Sequence, residues 1–534
     1  MKRLSYPLAV FLVAAFMLCA DAQQERSIQY KKETRLIFDA MDAGKLDAAV
    51  AEFNQFLKEY PNDLECYFGL AAAYSLKGDI PKAMENVDLA VGNGLSFGRF
   101  LAGPREWFAN LYESEAYQSY AQTHHNKYDD LLVHGPLLGC VDHQSAKFWV
   151  RTMELAGATV NLSETPNMQT GLKTAWSATK PEDDFTVVLS IDGLKPNTRY
   201  YYEIYINGIQ KTPVYSFRTF LEPNASAQFS VAFGGGAGFT PPYEYMWNTI
   251  AAHDPLAFLF MGDNVYIDNP TSPNVQKYCY YRRQSRPEFR NFVAQRSNFA
   301  IWDDHDFVDN DKWGGPDTFS PEWKLPVWNV FKQNWNNPSY GGGETQPGCW
   351  FSYSIGDVDF IMLDGRYYRD DPKTPTPSML GPVQKKWLFD TLKQCKGTFK
   401  VIASPVPWSY GAKPGSRDPW QGYKEEREEI FSFLEANKID GVLLISADRH
   451  RSDLWKIERE NGYDLYEFES SKLTNIHTHG IMPGSIFGYN DTCSFAQMNF
   501  DTTKDDPTVA MEIYSIDDEL IHKMTLKKSQ ISYK

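Results

Sequence analysis

Clusters of potential ligand side chains follow four short apolar segments in the second half of the chain. Each segment has the length and composition of a buried strand, and each cluster begins where its segment ends. The clusters are Gly262-Asp263-Asn264 with Tyr266, Asp303-Asp304-His305-Asp306, Asp364-Gly365-Arg366 with Arg369, and Asp448-Arg449-His450. Ligands bind beyond the carboxyl ends of strands in α/β sheets. We therefore expect the clusters to lie together at one edge of the sheet, which we call the rim.

The types of donor atom in these clusters limit which metal ions and anions could bind at the rim. Asp, Asn and Tyr oxygens together with imidazoles suit Ca²⁺, Mn²⁺, Zn²⁺ or iron, and none of the clusters contains a thiol. Closely packed carboxylates need cations to neutralise them, and the planar guanidinium groups of Arg366 and Arg369 suit a phosphate. Each cluster alone is more typical of a turn or a solvated loop, but the four together favour a metal site.

The elements that must position these clusters can be read from the pattern of apolar residues. Strand and helix patterns alternate through residues 223–534, which predicts an α/β domain. Residues 131–222 instead alternate apolar and polar residues between frequent turn residues, which predicts a small β-sandwich. The segment around Tyr200 in this region resembles the tyrosine corner of fibronectin-type sandwiches, so we expect a fibronectin-like domain with an architectural role.

Residues 23–130 have a helical pattern with an internal repeat. Gly44 and Gly78, and likewise Ala49 and Ala83, are 34 residues apart, which is the period of tetratricopeptide helix pairs. Such tetratricopeptide-like repeats could form a groove that docks a protein partner. Alternatively, the helices could form a cap packed on the rest of the chain, which we favour because so few repeats are present.

Residues 1–22 have the features of an export signal. Lys2 and Arg3 precede an apolar stretch, and Ala20-Asp21-Ala22 fits the small-x-small cleavage rule. We therefore expect an exported protein, periplasmic or extracellular, without a membrane span. The net charge of −15 argues against a nucleic-acid backbone as the main partner. Six further cysteines permit disulfides or isolated buried thiols.

In their order along the chain, the four clusters resemble the motifs of the PhoD-like alkaline phosphatases, a branch of the calcineurin-like metallophosphoesterases. The matching elements are Gly262-Asp263-x-x-Tyr266, Trp302-Asp303-Asp304-His305-Asp306, Leu363-Asp364-x-Arg366-x-x-Arg369, Asp448-x-His450 and the later segment Phe468–Asn475. The resemblance covers about residues 131–534. It implies two packed β-sheets flanked by helices and a dinuclear site for Ca²⁺, Fe³⁺, Mn²⁺ or Zn²⁺.

The resemblance also implies a role for each matched side chain. The implied metal ligands are Asp263, which would bridge the two ions, Tyr266, Asp304, Asn310, Asp448 and His450. Asp263 and His305 would be the catalytic residues, and Asp306 would orient the histidine. Arg366 and Arg369 would hold the phosphate of the substrate.

One segment departs from the family pattern. Family members usually carry a cysteine ligand after the first catalytic strand, but Val231–Phe239 contains no Cys, Asp or His. Ala447 also stands where the family usually has glycine. One metal ligand is therefore missing or is supplied from elsewhere. His477 and His479 could add a ligand, although an exposed loop is the more common form of such a segment.

Together these features predict an exported metal-dependent hydrolase of phosphate monoesters or diesters. Two cations would neutralise the phosphoryl oxygens and lower the pKa of a water, and His305 would protonate the leaving oxygen. Two alternatives remain open. The chain could be a non-catalytic binding protein with a degenerate site, or it could hydrolyse another oxyanion ester such as a sulfate.

Overall fold

The structure is a computed structural model that describes residues 34–128, 131–169 and 171–534. The predicted export signal at residues 1–22 lies outside the described residues. Within these ranges, no helix combines the length and the apolar character needed to cross a bilayer.

Helices form the first described part of the chain. They are α1 (residues 34–42), α2 Leu46–Glu59, α3 Leu64–Lys77, α4 Ile80–Gly92, α5 Gly98–Ala102, α6 Ala109–Tyr112 and α7 Glu115–Tyr128. Local sequence sets their bounds. Asp63 starts α3 by accepting a hydrogen bond from Cys66 N at 2.8 Å, and Gly78 ends it with φ 74°. The predicted helical region is confirmed, whereas the 34-residue repeat stays a prediction.

Strands follow in the region predicted as a sandwich. They are β1 Leu132–Gly139, β2 Ser145–Thr152, β3 Gly157–Ser163, β4 Lys173–Ala178, β5 Thr186–Asp192, β6 Arg199–Ile206, β7 Ile209–Gln210 and β8 Tyr215–Arg218. One layer has the order β4-β3-β6-β7, with β8 beside β6. The Tyr200 hydroxyl accepts a hydrogen bond from Lys195 N at 3.0 Å, which is the kind of contact that a tyrosine corner makes. The fibronectin-like assignment itself stays a prediction.

Strands and helices alternate in the remainder of the chain. The strands are β9 Gln228–Gly234, β10 Ala257–Met261, β11 Ser297–Ile301, β12 Phe351–Ile355, β13 Val358–Met362, β14 Phe399–Ala403, β15 Val442–Ser446, β16 Ser452–Ile457, β17 Leu465–Ser470, β18 Phe487–Tyr489, β19 Ser494–Asp501, β20 Thr508–Ser515 and β21 Leu520–Lys527. The helices are α8 Met246–Ala252, α9 Pro273–Gln284, α10 Pro287–Ala294, α11 Asp304–Phe307, α12 Lys324–Lys332, α13 Gly381–Gln394 and α14 Lys424–Ala436.

Two sheets form the core of this region. The first has the order β21-β20-β19-β9-β10-β11-β1-β2-β5, and the second has the order β12-β13-β14-β15-β17-β16-β18. Strands β9, β10 and β11 are parallel, as are β13, β14, β15 and β17. Every residue of β10, β11 and β15 is buried, which explains their continuous apolar sequences. Because β1 pairs with β11, the first sheet runs across the domain boundary predicted at residue 222.

Aromatic side chains pack the two sheets against each other. Phe299 of β11 stacks on Tyr353 of β12 with 3.8 Å between ring centroids. Helices cover the outer faces: Trp247 of α8 lies 5.9 Å from Phe260 of β10, again between centroids. On the other side, α13 and α14 share a buried apolar cluster with β13, β14 and β15. The two packed sheets flanked by helices therefore agree with the predicted architecture.

The helical region packs directly on α9. Phe38 of α1 lies 4.0 Å from Tyr278 of α9 between ring centroids. Glu65 of α3 forms a buried ion pair with Arg99 at 2.8 Å and accepts a hydrogen bond from the Tyr278 hydroxyl at 2.7 Å. Such contacts are those of a helical cap joined to the rest of the chain by buried aromatic and charged groups.

The crossing of α2 and α3 provides a test of this packing. A Cβ at Gly69 would lie 2.3 Å from the buried ring of Phe53, whereas a Cβ at Gly92 would have no neighbour within 4 Å. We expect Gly69→Ala to lower the free energy of unfolding by about 1–3 kcal/mol, because the ring cannot move without disturbing the core. Chemical denaturation followed by circular dichroism measures this change.

The matched control for this substitution is Gly92→Ala. We expect it to be neutral or to stabilise the chain by up to about 1 kcal/mol, because alanine favours the helical backbone. Equal effects of the two substitutions would contradict the packing described for α2 and α3.

Candidate active site

The ends of three strands bring most of the predicted ligands together at one edge of the two sheets. The residues that follow β10, β11 and β15 are Asp263, then Asp304 and His305, then Asp448 and His450. Asp263, Asp448 and His450 have positive φ angles of 53°, 76° and 48°. Non-glycine residues adopt this conformation at a free-energy cost, and such strain concentrates at functional sites.

Asp263, Asp304 and His305 form a compact group of donor atoms. One candidate ligand atom from each lies within 4.8 Å of the other two. The Oδ1 oxygen of Asp263 is buried and has no hydrogen-bond partner among the described residues. Burial raises the pKa of Asp263 well above its usual range, and the Asp304 carboxylate adds to this increase. A cation would satisfy this oxygen and neutralise the neighbouring carboxylates, so the group fits a metal ion.

Tyr266 connects Asp263 to His450. Its hydroxyl donates to Asp263 Oδ2 at 3.1 Å and lies 3.1 Å from His450 Nε2. Asn475 Nδ2 donates to the same hydroxyl oxygen at 2.6 Å. The structure thus brings the predicted ligands Asp263, Tyr266 and His450 into contact. Asn475 belongs to the segment used for the family resemblance, but sequence reasoning assigned it no role.

A second group of carboxylates surrounds the ammonium group of Lys413. Its Nζ atom lies 2.6 Å from Asp311, 3.0 Å from Asp418 and 3.4 Å from Asp448, each measured to a carboxylate oxygen. Asp311 and Asp418 also lie within 4.8 Å of Asp304. Sequence reasoning assigned no role to Asp311, Lys413 or Asp418.

The predicted ligand Asn310 occupies a different environment from its neighbour Asp311. Its side chain is exposed on the loop after α11. Asp311, the next residue, has a φ angle of 56° and lies in the carboxylate group instead. A ligand role for Asn310 therefore has no support from its position.

Arg366 and Arg369, which are predicted to hold the phosphate, form ion pairs with protein carboxylates. Both guanidinium groups are fully buried. Arg366 binds Asp303 at 2.5 Å and Asp418 at 2.7 Å, and Arg369 binds Asp418 at 2.9 Å. Burial alone would lower the pKa of Arg366, but Asp303 and Asp418 raise it well above its usual value. Because protein carboxylates engage both side chains, they are not open to a substrate phosphate in this structure.

The carboxylate that pairs with the His305 ring is that of Asp268, not that of the predicted Asp306. Asp268 Oδ1 pairs with His305 Nδ1, and Asp268 Oδ2 lies 3.4 Å from Arg35 Nε of the helical region. Asp306 Oδ1 instead accepts a hydrogen bond from Val265 N at 2.9 Å, which fixes the loop after β10. Burial raises the pKa of Asp306 to about 7. Asp306 is thus a support of the loop backbone and not the partner of the histidine.

Family models match most of the chain. A model described as PhoD-like phosphatase matches residues 231–511, and a model of a domain of unknown function, DUF7800, matches residues 129–226. Alkaline phosphatase D of Bacillus subtilis (strain 168) is 24% identical over 341 residues, or 55% of this chain and 57% of that protein. The match thus spans little more than half the length of this curated relative.

Solved structures share the fold. The structure of PhoD has a TM-score of 0.60 at 16% identity, over 72% of this chain and 91% of that one. Purple acid phosphatase PPD1 from yellow lupin (Lupinus luteus) seeds has a TM-score of 0.55 at 13% identity, over 74% of this chain and 75% of that one. Both therefore have the same arrangement of sheets and helices over most of their length.

Asp418 provides a test of the charge network around the arginines. Its carboxylate lies between Arg366, Arg369 and Lys413. Asp418→Asn keeps the size of the side chain but leaves buried cations without their counter-ion. We expect the free energy of unfolding to fall by about 3–5 kcal/mol, measured by chemical denaturation. The exposed Asp88→Asn is the control and should change it by less than about 0.5 kcal/mol. A loss at Asp418 no larger than at Asp88 would contradict the network.

Proposed function

The chain belongs to the PhoD-like phosphatase family, and on this premise we propose that it is a metal-dependent hydrolase of phosphoric esters. The observation that carries the proposal is the Asp263 carboxylate. Its Oδ1 oxygen is buried without a hydrogen-bond partner among the described residues, and the carboxylate lies beside the proposed ligands Asp304 and Tyr266. Mixed carboxylate and imidazole donors in a buried site suit a catalytic metal.

We propose that the site holds two metal ions, of the Ca²⁺, Mn²⁺, Zn²⁺ or iron type. Asp263, Tyr266, Asp304, Asp448 and His450 would hold these ions. The contacts of Tyr266 with Asp263 and His450, both at 3.1 Å, support the assignment of these three ligands. When bound, such ions neutralise phosphoryl oxygens and activate a water for attack on phosphorus.

His305 is the proposed proton donor to the leaving oxygen. Burial alone would lower its pKa, but the carboxylates of Asp304 and Asp263 raise it well above its usual value, which favours the protonated ring that a proton donor needs. Because Nδ1 is engaged by Asp268, the other ring nitrogen, Nε2, is the one that would give its proton to the substrate.

Arg366 and Arg369 act indirectly in this proposal. Arg366 holds Asp303, which precedes the ligand Asp304, and both arginines hold Asp418. They would keep the carboxylates of the rim in place, while phosphate charge is neutralised at the metals. Export and a protein partner for the helical repeat remain proposals that rest on residues 1–22 and 23–130 of the sequence.

The proposal predicts that Asp263→Asn loses both metal and activity. We expect the parent chain, purified without chelators, to contain about two metal ions and to hydrolyse phosphate monoesters or diesters. The variant should retain less metal and lose at least about 100-fold in kcat/KM, because it lacks the charge of the Asp263 carboxylate. Elemental analysis and a panel of phosphate monoesters, phosphate diesters and sulfate esters measure these effects.

The exposed Asp505→Asn is the matched control and should behave as the parent. A parent chain without metal would support the binding-protein alternative instead. Turnover of sulfate esters alone would show that the chain hydrolyses a different class of oxyanion ester. Full turnover by Asp263→Asn would refute the assignment of the site.

A further inference from the structure

Three imidazoles lie together where the candidate site meets the surface. One ring nitrogen from each of His450, His477 and His479 lies within 4.8 Å of the other two. The ring centroids of His477 and His479 are 4.7 Å apart, and they lie 5.3 and 5.6 Å from that of His450. His450 is buried, His479 is half-buried and His477 is exposed. The group therefore runs from the site to solvent.

Hydrogen bonds hold the loop that carries the two outer histidines. His477 N donates to Asn475 Oδ1 at 3.0 Å, and the His479 carbonyl accepts from Asn490 Nδ2 at 2.9 Å. Asn475 also donates through Nδ2 to the Tyr266 hydroxyl. The loop is thus tied by one side chain to the proposed ligand Tyr266, and its histidines are presented to His450 by fixed backbone.

Gly235 and Gly236 in the loop after β9 leave no room for ligand side chains. A Cβ at Gly236 would lie 2.4 Å from Ser471 O, and a Cβ at Gly235 would lie 2.7 Å from Ala447 Cβ. These distances are too short for any side chain, so close backbone packing requires glycine there. Val231–Phe239 also contains no Cys, Asp or His. An additional side-chain ligand for the ion near His450 would therefore come from another segment of the chain. The loop with His477 and His479 lies next to His450.

We propose that His477 and His479 join His450 in binding a transition-metal ion of the zinc or iron class. Imidazole nitrogens are preferred ligands of these ions. Two nitrogens bound at about 2.1 Å lie no more than about 4.2 Å apart, so small ring movements close the group around an ion. The inference rests on the proposed function in sharing His450, and it names two ligands for one of the proposed ions.

The double substitution His477→Ala/His479→Ala tests this site. Zn²⁺ affinity is measured by titration calorimetry on the full chain after removal of metal with a chelator. The visible absorption of bound Co²⁺ reports the ligand set independently of turnover. We expect Zn²⁺ to bind at least about tenfold more weakly and the Co²⁺ spectrum to change, because two imidazoles are lost. His143→Ala, distant in sequence and half-buried, is the matched control and should leave both unchanged.

Each outcome of these experiments either supports or overturns the proposed histidine site. Affinity and spectrum equal to those of the parent would overturn the histidine site, while the ester panel and Asp263→Asn continue to test the proposed function. A parent that binds neither Zn²⁺ nor Co²⁺ would overturn both. His477→Gln/His479→Gln, with an unchanged thermal unfolding midpoint, separates loss of ligands from loss of folding. Weaker binding by this variant supports the site, and unchanged binding overturns it.

Discussion

Neutralisation of buried carboxylates is the constraint on which this rim depends. A carboxylate taken out of water is strongly destabilising unless a cation or several N–H groups compensate it. Asp303 and Asp418 are compensated by Arg366, and Asp306 by backbone N–H groups of the adjacent loop. Asp263 differs from these acids in its partner, which is the His450 imidazole at 3.6 Å, and its buried Oδ1, like Oδ2 of Asp303, accepts no hydrogen bond within the described part of the chain. The negative charge of the Asp263 carboxylate therefore remains to be neutralised, and it lies at the centre of the proposed metal site.

The fold brings the two halves of this site together through different kinds of contact. Strands β10 and β11 are hydrogen-bonded neighbours, so their pairing places the segments carrying Asp263 and Asp304 side by side. Gly262 permits their close approach, since a Cβ there would lie 2.9 Å from Asp303 N. His450 belongs to the other sheet. Its distance from Asp263 is therefore set by the packing of aromatic residues between the sheets and not by strand pairing.

Sequence patterns were informative where a strand led directly into the site. The segments after β10, β11 and β15 could be identified because apolar strands end abruptly in potential ligands, and the structure brings these segments together. Lys413 and Asp418 could not be identified in this way, because they lie in a long loop between β14 and α14 that has no periodic pattern of apolar residues. The ion pairs of Arg366 and Arg369 could not be predicted for a related reason. A motif shows that an arginine is present, but only the fold shows that a protein carboxylate already binds it.

The pairing of Asp306 illustrates the same limit on a smaller scale. Asp306 is next to His305 in sequence, whereas Asp268 is 37 residues away and yet contacts the ring. Adjacent side chains on a short helical turn point in different directions, so sequence proximity is a poor guide to contact there. The helical cap was easier to anticipate, because its apolar faces had to be buried against some other part of the chain.

The contact between Arg35 and Asp268 has a consequence for where the working unit of this protein begins. Arg35 lies in α1, almost two hundred residues before the start of the phosphatase match, yet it contacts Asp268, the acid that pairs with the proposed proton donor His305. A fragment cut at the family boundary would lose this guanidinium and would uncover the aromatic surface of α9. A fragment that retains the support of His305 therefore has to include the first described helix.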